Sequence, residues 1–281
     1  MNFNLGAIDP IAFNFLGFQV HWYGVIIGVA VLLALYLAVN EGKKRGIVAD
    51  DFYDFILWAL PIALICARAY YVIFRWSYYS ANPSEIYRIW DGGIAIYGGL
   101  LGALVVLIVF CRIKKLSPWL FLDVISPTVI LAQGIGRWGN FINQEAHGGP
   151  VTRAFLENLH LPNFIISQMN IQGIYYQPTF LYESLWDILG FVLLICLRHR
   201  QHLFKQGEIF LTYVAWYSFG RFFIEGMRTD SLMLGALRVS QWLSVILFVL
   251  ALGIFWYRRY YLPNNPWYLT GNQKKLMGII T

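Results

Sequence analysis

Charge is scarce in this chain. Asp, Glu, Lys and Arg make up 13% of its 281 residues, about half the share of an ordinary soluble domain. A soluble globular class is excluded on that ground. Strand-period alternation is also missing: the apolar residues come in long runs rather than alternating ten-residue segments, which excludes a transmembrane barrel. Cysteine is limited to Cys66, Cys111 and Cys196, in or at the ends of apolar runs and with no pairing or metal spacing, so they read as small apolar fillers. The start "MNFNLGAIDP" has no basic region ahead of an apolar core, and no cleaved signal peptide is expected. There is no P-loop, dinucleotide fingerprint or His/Cys/Asp metal cluster, so no cofactor or metal is expected. No internal repeat is evident.

What is present is apolar and aromatic. Hydrophobic residues make up 58% of the chain and aromatics 18%, with a mean hydropathy of +0.56. Trp and Tyr gather near segment ends, as at an interfacial belt. Seven candidate spans follow, at 22–39, 52–74, 94–111, 119–135, 180–197, 209–224 and 239–257. Each is near the roughly 17–25 residues a spanning helix needs. Polar residues interrupt the fifth and sixth. The expected fold is an all-α polytopic membrane protein, a single integral domain over 1–281 with a small extracytoplasmic insertion at about 147–177.

The formal net charge of +6 could point to nucleic acid in a soluble chain, but its distribution here speaks of topology. All seven lysines (Lys43, Lys44, Lys114, Lys115, Lys205, Lys274 and Lys275) fall on one side of the predicted spans. The positive-inside rule makes that side cytoplasmic, with the N-terminus outside and the C-terminus inside. The opposite side carries Arg75, Arg88, Arg137, Arg153, Arg221, Arg228 and Arg238 but no lysine. Arginine presents a planar fork that grips phosphate or carboxylate with two parallel hydrogen bonds. An arginine-only outer face suggests oxyanion recognition, although Arg75 and Arg88 read as snorkelling to head groups.

Two polar constellations stand out on that side. The sixth span ends "YVAWYSFGRFFIEGMRTD", where Tyr217, Arg221 and Glu225 recur every four residues and share one helix stripe, with Arg228 continuing it. The fourth span ends "GIGRWGNFINQEAHGG", where Arg137 and Asn140 share a face if the helix continues, as do Asn140 and Asn143, with Glu145 following. Ionisable residues at membrane depth are costly and usually face a bundle interior or a wet cavity. Gly134, Gly136 and Gly139 clear space beside Arg137 for a helix or a ligand. Gly98 with Gly102, and Gly24 with Gly28, form further small-residue pairs four apart. Tyr97, Tyr23 and His21 sit near the outer boundary, and Gln177, Tyr182 and Glu183 precede or begin the fifth span.

"VHWYG", "WDGGIAIYGGLLG", "GRWGNFINQEAHGG", "QPTFLYE", "YSFGRFFIEGMR" and "SQWLS", in this order and across nearly the whole chain, resemble the prolipoprotein diacylglyceryl transferase family. The resemblance implies transfer of a diacylglyceryl group from phosphatidylglycerol to the lipobox cysteine of a prolipoprotein in the bacterial cell membrane. The product is a thioether and the leaving group glycerol-1-phosphate. Sulfur attacks the sn-3 carbon and a C–O bond breaks, so the site needs cations aimed at the departing phosphate. The implied partners are phosphatidylglycerol, prolipoprotein signal peptides and membrane lipid, with no nucleic acid.

By the same resemblance, Arg137 and Arg221 bind the phosphate and stabilise the leaving group. Asn140, Asn143 and Glu145 orient Arg137 and the head group. Tyr23, Tyr217, Glu225, Gly148 and the Gly98–Gly99 pair fall on matching substrate-binding positions. One departure matters. Many relatives carry histidine directly before the span-three glycine pair, where this chain has Tyr97. A phenol with an ordinary pKa of about 10 is a poor base near neutrality. Three ways of activating the thiol stay open: Tyr97 only positions lipid while the base lies elsewhere, His147 is the base, or the arginines act electrostatically. A lipid transporter or a membrane scaffold are the rival classes; midplane polar groups or a repeat would favour the first.

Overall fold

The computed structural model describes residues 8–15, 17–229 and 233–271. Lys274 and Lys275 lie outside the described residues. The helices follow the apolar runs. In chain order the elements begin with β1 (Ile11–Phe15), β2 (Phe18–His21), α1 (Trp22–Lys44), α2 (Ala49–Phe74), α3 (Trp76–Tyr79), α4 (Ile96–Ile113) and α5 (Pro118–Ile142). They continue with β3 (Pro150–Val151), α6 (Arg153–Asn158), α7 (Asn163–Gln168), β4 (Asn170–Ile171), β5 (Ile174–Tyr176), α8 (Thr179–Arg198), α9 (Glu208–Met227), β6 (Met233–Leu234), β7 (Leu237–Arg238) and α10 (Val239–Tyr261).

Among the described residues, six helices are long and apolar enough to cross a membrane: α1, α2, α4, α5, α8 and α10. The chain is a multi-pass, mainly helical membrane protein. The sixth predicted span corresponds to α9, which has the length at 20 residues but is not among those six. Glu208, Arg221 and Glu225 on this helix dilute its apolar character. Leu32, Leu57 and Val249, each at least 60% exposed near the middle of α1, α2 and α10, present apolar surface suited to lipid contact.

The chain divides into two compact units. One comprises Val39–Phe121 and Gly271 onward. Here α2 and α4 pack through glycine: a Cβ on Gly98 would collide with the Cys66 carbonyl, and one on Gly102 would come within 2.8 Å of Cys66 Cβ. The predicted small-residue pair is thus a helix contact. Phe52, Phe55, Phe110 and Phe121 close the other end of this unit as an aromatic cluster, with ring centroids 5.0–6.1 Å apart.

The other unit comprises the residues up to Ala38 together with Leu122–Thr270. It contains all seven strands. The polar stretch between α5 and α8 folds as a three-stranded antiparallel sheet, order β3-β5-β4, with α6 and α7. Its core is Leu156, Ile165, Ile166 and Met169 packed with Phe141 of α5 and Phe180 of α8. Phe141 and Phe180 stack at 4.4 Å. The insertion therefore grips the end of one helix and the start of the other. Gln168, 1% exposed, donates to the carbonyls of Phe141 and Ile142 at 3.2 and 2.9 Å, capping acceptors that the end of α5 leaves free.

Two further devices fix α9. Asp123 of α5 is fully buried and accepts from Gly207 N and Phe210 N at 2.5 and 2.8 Å, so it serves the orphan N–H groups at the α9 start. Trp186 of α8 and Trp216 of α9 stack at 4.2 Å. Each indole N–H donates to the other residue's carbonyl at 3.1 Å. These rings lie where any side chain on Gly190 or Gly220 would collide with them. Gly24 and Gly28 differ: a Cβ on either meets nothing within 4 Å among the described residues. Spacing alone suggested a contact that no neighbouring helix supplies.

Candidate active site

Helix α5 runs unbroken to Ile142, so Arg137 and Asn140 do share a face, one turn apart. Arg137 Nη1 reaches Asn140 Oδ1 at 3.4 Å. Asn140 Nδ2 donates to Glu145 Oε1 at 2.8 Å, and Asn143 Nδ2 reaches the same oxygen at 3.4 Å. The turn that returns Glu145 to the helix uses positive φ at Gln144 and Ala146. The signature is thus a linked chain: Glu145 orients Asn140, and Asn140 orients Arg137.

The decisive contact comes from α8. Glu183, predicted only as a polar residue at the start of the fifth span, is 3% exposed and lies between the two arginines. Its Oε1 is 2.7 Å from Arg137 Nη2. Arg221 Nη1 donates to Oε1 and Oε2 at 3.1 and 2.9 Å. Arg221 also pairs with Glu225 one turn along α9 through Nη2. The side chains of Arg137 and Arg221 remain 20% and 15% accessible, whereas those of Glu183 and Glu225 are 4% and 3%. The carboxylates lie behind and the guanidiniums in front, so the accessible face of the cluster is cationic.

The surrounding packing holds this arrangement. Trp138 Nε1 donates to Ser184 Oγ at 3.2 Å, and the notch at Gly134 admits the α8 backbone at Ser184 O, 3.2 Å from where a Cβ would stand. On another side, Tyr23 of α1 lies over Gly139, whose Cβ would come within 2.6 Å of the ring, and Ile27 lies against Gly136. The glycines beside Arg137 therefore admit α8 and α1. Tyr217 precedes Arg221 by one turn, stacks with Tyr213 at 6.2 Å, and lies within electrostatic range of Glu183 and both arginines. Asp187, one turn past Glu183, is fully buried, and its carboxyl oxygens have no hydrogen-bond partner among the described residues. In the sequence, its i+4 spacing from Glu183 is the available signal.

Arg228 departs from the predicted stripe. Helix α9 ends at Met227 and Arg228 is its cap, with φ −74° and ψ 151°. An extended residue no longer follows helical spacing. The Arg228 carbonyl accepts from Arg238 Nη2, and its backbone bridges Gly148. Gly148 is tightly enclosed: its N–H donates to Gln177 O at 3.0 Å, and a Cβ there would stand 2.7 Å from Gln177 Cβ.

His147 packs on Tyr176 with ring centroids 4.0 Å apart. Its Nδ1 is 3.1 Å from Gly148 O. A carbonyl only accepts, so in the neutral ring Nδ1 carries the proton and Nε2 the lone pair. His147 shares with Asn140 and Glu145 a void of about 10 Å³, room for no more than one water. Tyr97, Gly98 and Gly99 belong to the other compact unit; Tyr97 is 36% exposed at the start of α4. No group of three or more His, Cys, Asp or Glu among the described residues could hold a metal ion.

Known proteins resemble this chain along nearly its full length. A family model described as "Prolipoprotein diacylglyceryl transferase" matches residues 10–257. A protein of Ligilactobacillus salivarius named phosphatidylglycerol–prolipoprotein diacylglyceryl transferase is 65% identical over 268 residues, covering 95% of this chain and 99% of its own. Proteins of the same name from Lactiplantibacillus plantarum and Lactobacillus acidophilus are 62% and 55% identical, covering 99% and 96% of both chains respectively.

Proposed function

The chain belongs to the prolipoprotein diacylglyceryl transferase family, and from that premise we propose that the Glu183-bridged arginine pair is where it handles its lipid. It is a transferase that moves the diacylglyceryl group of phosphatidylglycerol to the lipobox cysteine of a prolipoprotein, forming a thioether and releasing glycerol-1-phosphate. The thiol sulfur bonds to the sn-3 carbon as the bond from that carbon to the phosphate oxygen breaks. The electron pair leaves with the phosphate, whose charge increases, and the thiol proton must be taken up.

One observation carries the reading. Two guanidiniums from different helices converge on a buried carboxylate and keep their accessible faces toward the front. A lipid phosphate arriving there meets two planar forks already held in place. Their attraction grows as charge develops on the leaving oxygen, and this differential is what lowers a barrier. The Asn140–Glu145 pair supports Arg137 from the side, and Tyr217 and Tyr23 flank the cluster. Asn143 and Glu225 complete its polar supports. Gly148, closed in by Gln177, holds the return loop against the start of α8. Gly98 and Gly99 seat the start of α4 against α2, and Tyr97 positions lipid rather than accepting the proton.

His147 takes the thiol proton. The bond from Nδ1 to Gly148 O leaves Nε2 as the basic atom, the tautomer a general base needs. The lysine distribution supports an outer-side location for the arginine cluster in the bacterial cell membrane, where an exported signal peptide would present its cysteine. In the test, purified protein is given phosphatidylglycerol and a lipobox peptide. Glycerol phosphate release that requires the peptide cysteine is the expected result. No release with both substrates present overturns the reading.

A further inference from the structure

A cavity lies beside α2 and α3, in the compact unit that also contains α4. It holds about 370 Å³ and is lined by Arg68, Arg75, Arg88, Tyr71, Tyr78 and Glu85, among others. We propose that this cavity is a binding site for the phosphate of an anionic phospholipid, additional to the lipid consumed by the transferase.

The pocket is built around one committed cation. Arg68 is 7% exposed, and its guanidinium donates to the carbonyls of Glu85, Ile86, Gly92 and Gly93 at 2.6–2.8 Å. Those bonds draw the 85–93 segment over the end of α2 and make the cavity wall. Gly93, at φ +73°, permits the approach: a Cβ there would lie 2.5 Å from Arg68 Nη1 and 2.8 Å from Tyr71 Cε1. The Arg68 partners are carbonyl dipoles, and among the described residues no carboxylate pairs with it. Its guanidinium also faces Tyr79 at 5.2 Å.

Arg75 is the ligand-facing group. Its guanidinium stacks over Tyr71 at 5.2 Å and makes no hydrogen bond or ion pair among the described residues. A stacked fork keeps its edge donors pointing outward, the geometry that matches a phosphate. Glu85, the one carboxylate among the described lining side chains, already accepts from Tyr78 Oη at 2.7 Å. That bond pushes the Tyr78 phenol above its ordinary pKa, so it stays a neutral donor at physiological pH. With Glu85 occupied by Tyr78, the Arg75 guanidinium is left to meet a ligand anion.

The rim argues for a lipid rather than a soluble ester. Phe74, Trp76, Tyr87 and Trp90 are 58–72% exposed around the end of α2 and the loop before α4. Aromatic side chains at a span end sit at head-group level, and their exposed faces suit the acyl chains of a lipid whose phosphate is in the pocket. A free phosphate ester would gain nothing from them.

The test is native mass spectrometry of the full chain, delipidated in detergent and titrated with short-chain phosphatidylglycerol, phosphatidylcholine or glycerol phosphate. Arg75→Gln removes the fork at an exposed position, and Arg75→Lys keeps the charge without the fork. The expected result is one phosphatidylglycerol bound at least fivefold more weakly in Arg75→Gln, with Arg75→Lys intermediate and unchanged melting in phosphatidylcholine detergent micelles. Glycerol phosphate should not displace that lipid, and transferase turnover should stay within twofold of wild type in saturating lipid. Equal phosphatidylglycerol occupancy in wild type and Arg75→Gln overturns the proposal. So does equal retention of phosphatidylcholine, or displacement by glycerol phosphate alone. A chain that binds lipid through Arg75 yet has no transferase activity would refute the proposed function and leave this site standing.

Discussion

Substituting Glu183→Gln tests the active-site geometry most directly, because shape is kept and charge is removed. The carboxylate serves Arg137 at 2.7 Å and Arg221 at 2.9 and 3.1 Å. The amide keeps one accepting oxygen and turns an N–H2 toward the other arginine. One charge-assisted contact is lost, worth roughly 1.5–3 kcal/mol, and the orphaned guanidinium faces a donor. Breaking a buried ion pair costs roughly 3–5 kcal/mol. The arginine side chains keep 20% and 15% accessibility, which places the stability loss toward about 3 kcal/mol. Catalysis suffers separately, since a misaimed donor at a developing oxyanion costs about 10²–10³-fold in kcat. KM moves the other way: the carboxylate competes with the lipid phosphate, and its removal leaves KM for phosphatidylglycerol unchanged or lower. Steady-state release of glycerol phosphate, with thermal melting in detergent, reads both. Turnover within threefold of wild type at unchanged melting temperature would refute the clamp.

Arg137→Lys keeps the charge but not the fork, and turnover in the same assay should fall about 100-fold; wild-type turnover would remove the bidentate role. A general base must be deprotonated to act, so the rate should decline toward acid pH in wild type and in Tyr97→Phe. That acid limb should vanish, at a much lower plateau, in His147→Asn, and full activity of His147→Asn would eliminate the histidine. Gly220→Ala drives a methyl into the Trp186 indole and should destabilise the protein by about 1–3 kcal/mol, read as a lower melting temperature. Lys114 is hydrogen-bonded to Asp54 at 2.6 Å and lies 3.5 Å from Asp51; the Asp54 bond, more than the other charges, raises its pKa. A raised folded-state pKa means this stabilisation is complete below the ordinary lysine value of about 10.4 and is lost as pH climbs through the raised one. The alkaline fall in melting temperature should therefore be shallower in Lys114→Met than in wild type.

Features that depend on local spacing were legible in the chain before any folding. Apolar runs in a chain with 13% charge become helices because a backbone in lipid must satisfy its own hydrogen bonds. Helical periodicity then puts Arg137 beside Asn140 and Arg221 beside Glu225, and both pairs form. The order of the motifs was enough for the family. Spacing misled only where the helical period stops, at Arg228 beyond the end of α9, or where no partner arrives, at Gly24 and Gly28. That Glu183 joins the two arginines is a matter of long-range packing, since Arg221 lies 38 positions away in the chain. That contact exists because Gly134, Gly190 and Gly220 let α5, α8 and α9 approach closely, and because reciprocal Trp186–Trp216 bonds fix their register. Packing at that precision depends on the shapes of three helices together, which no single stretch of sequence contains.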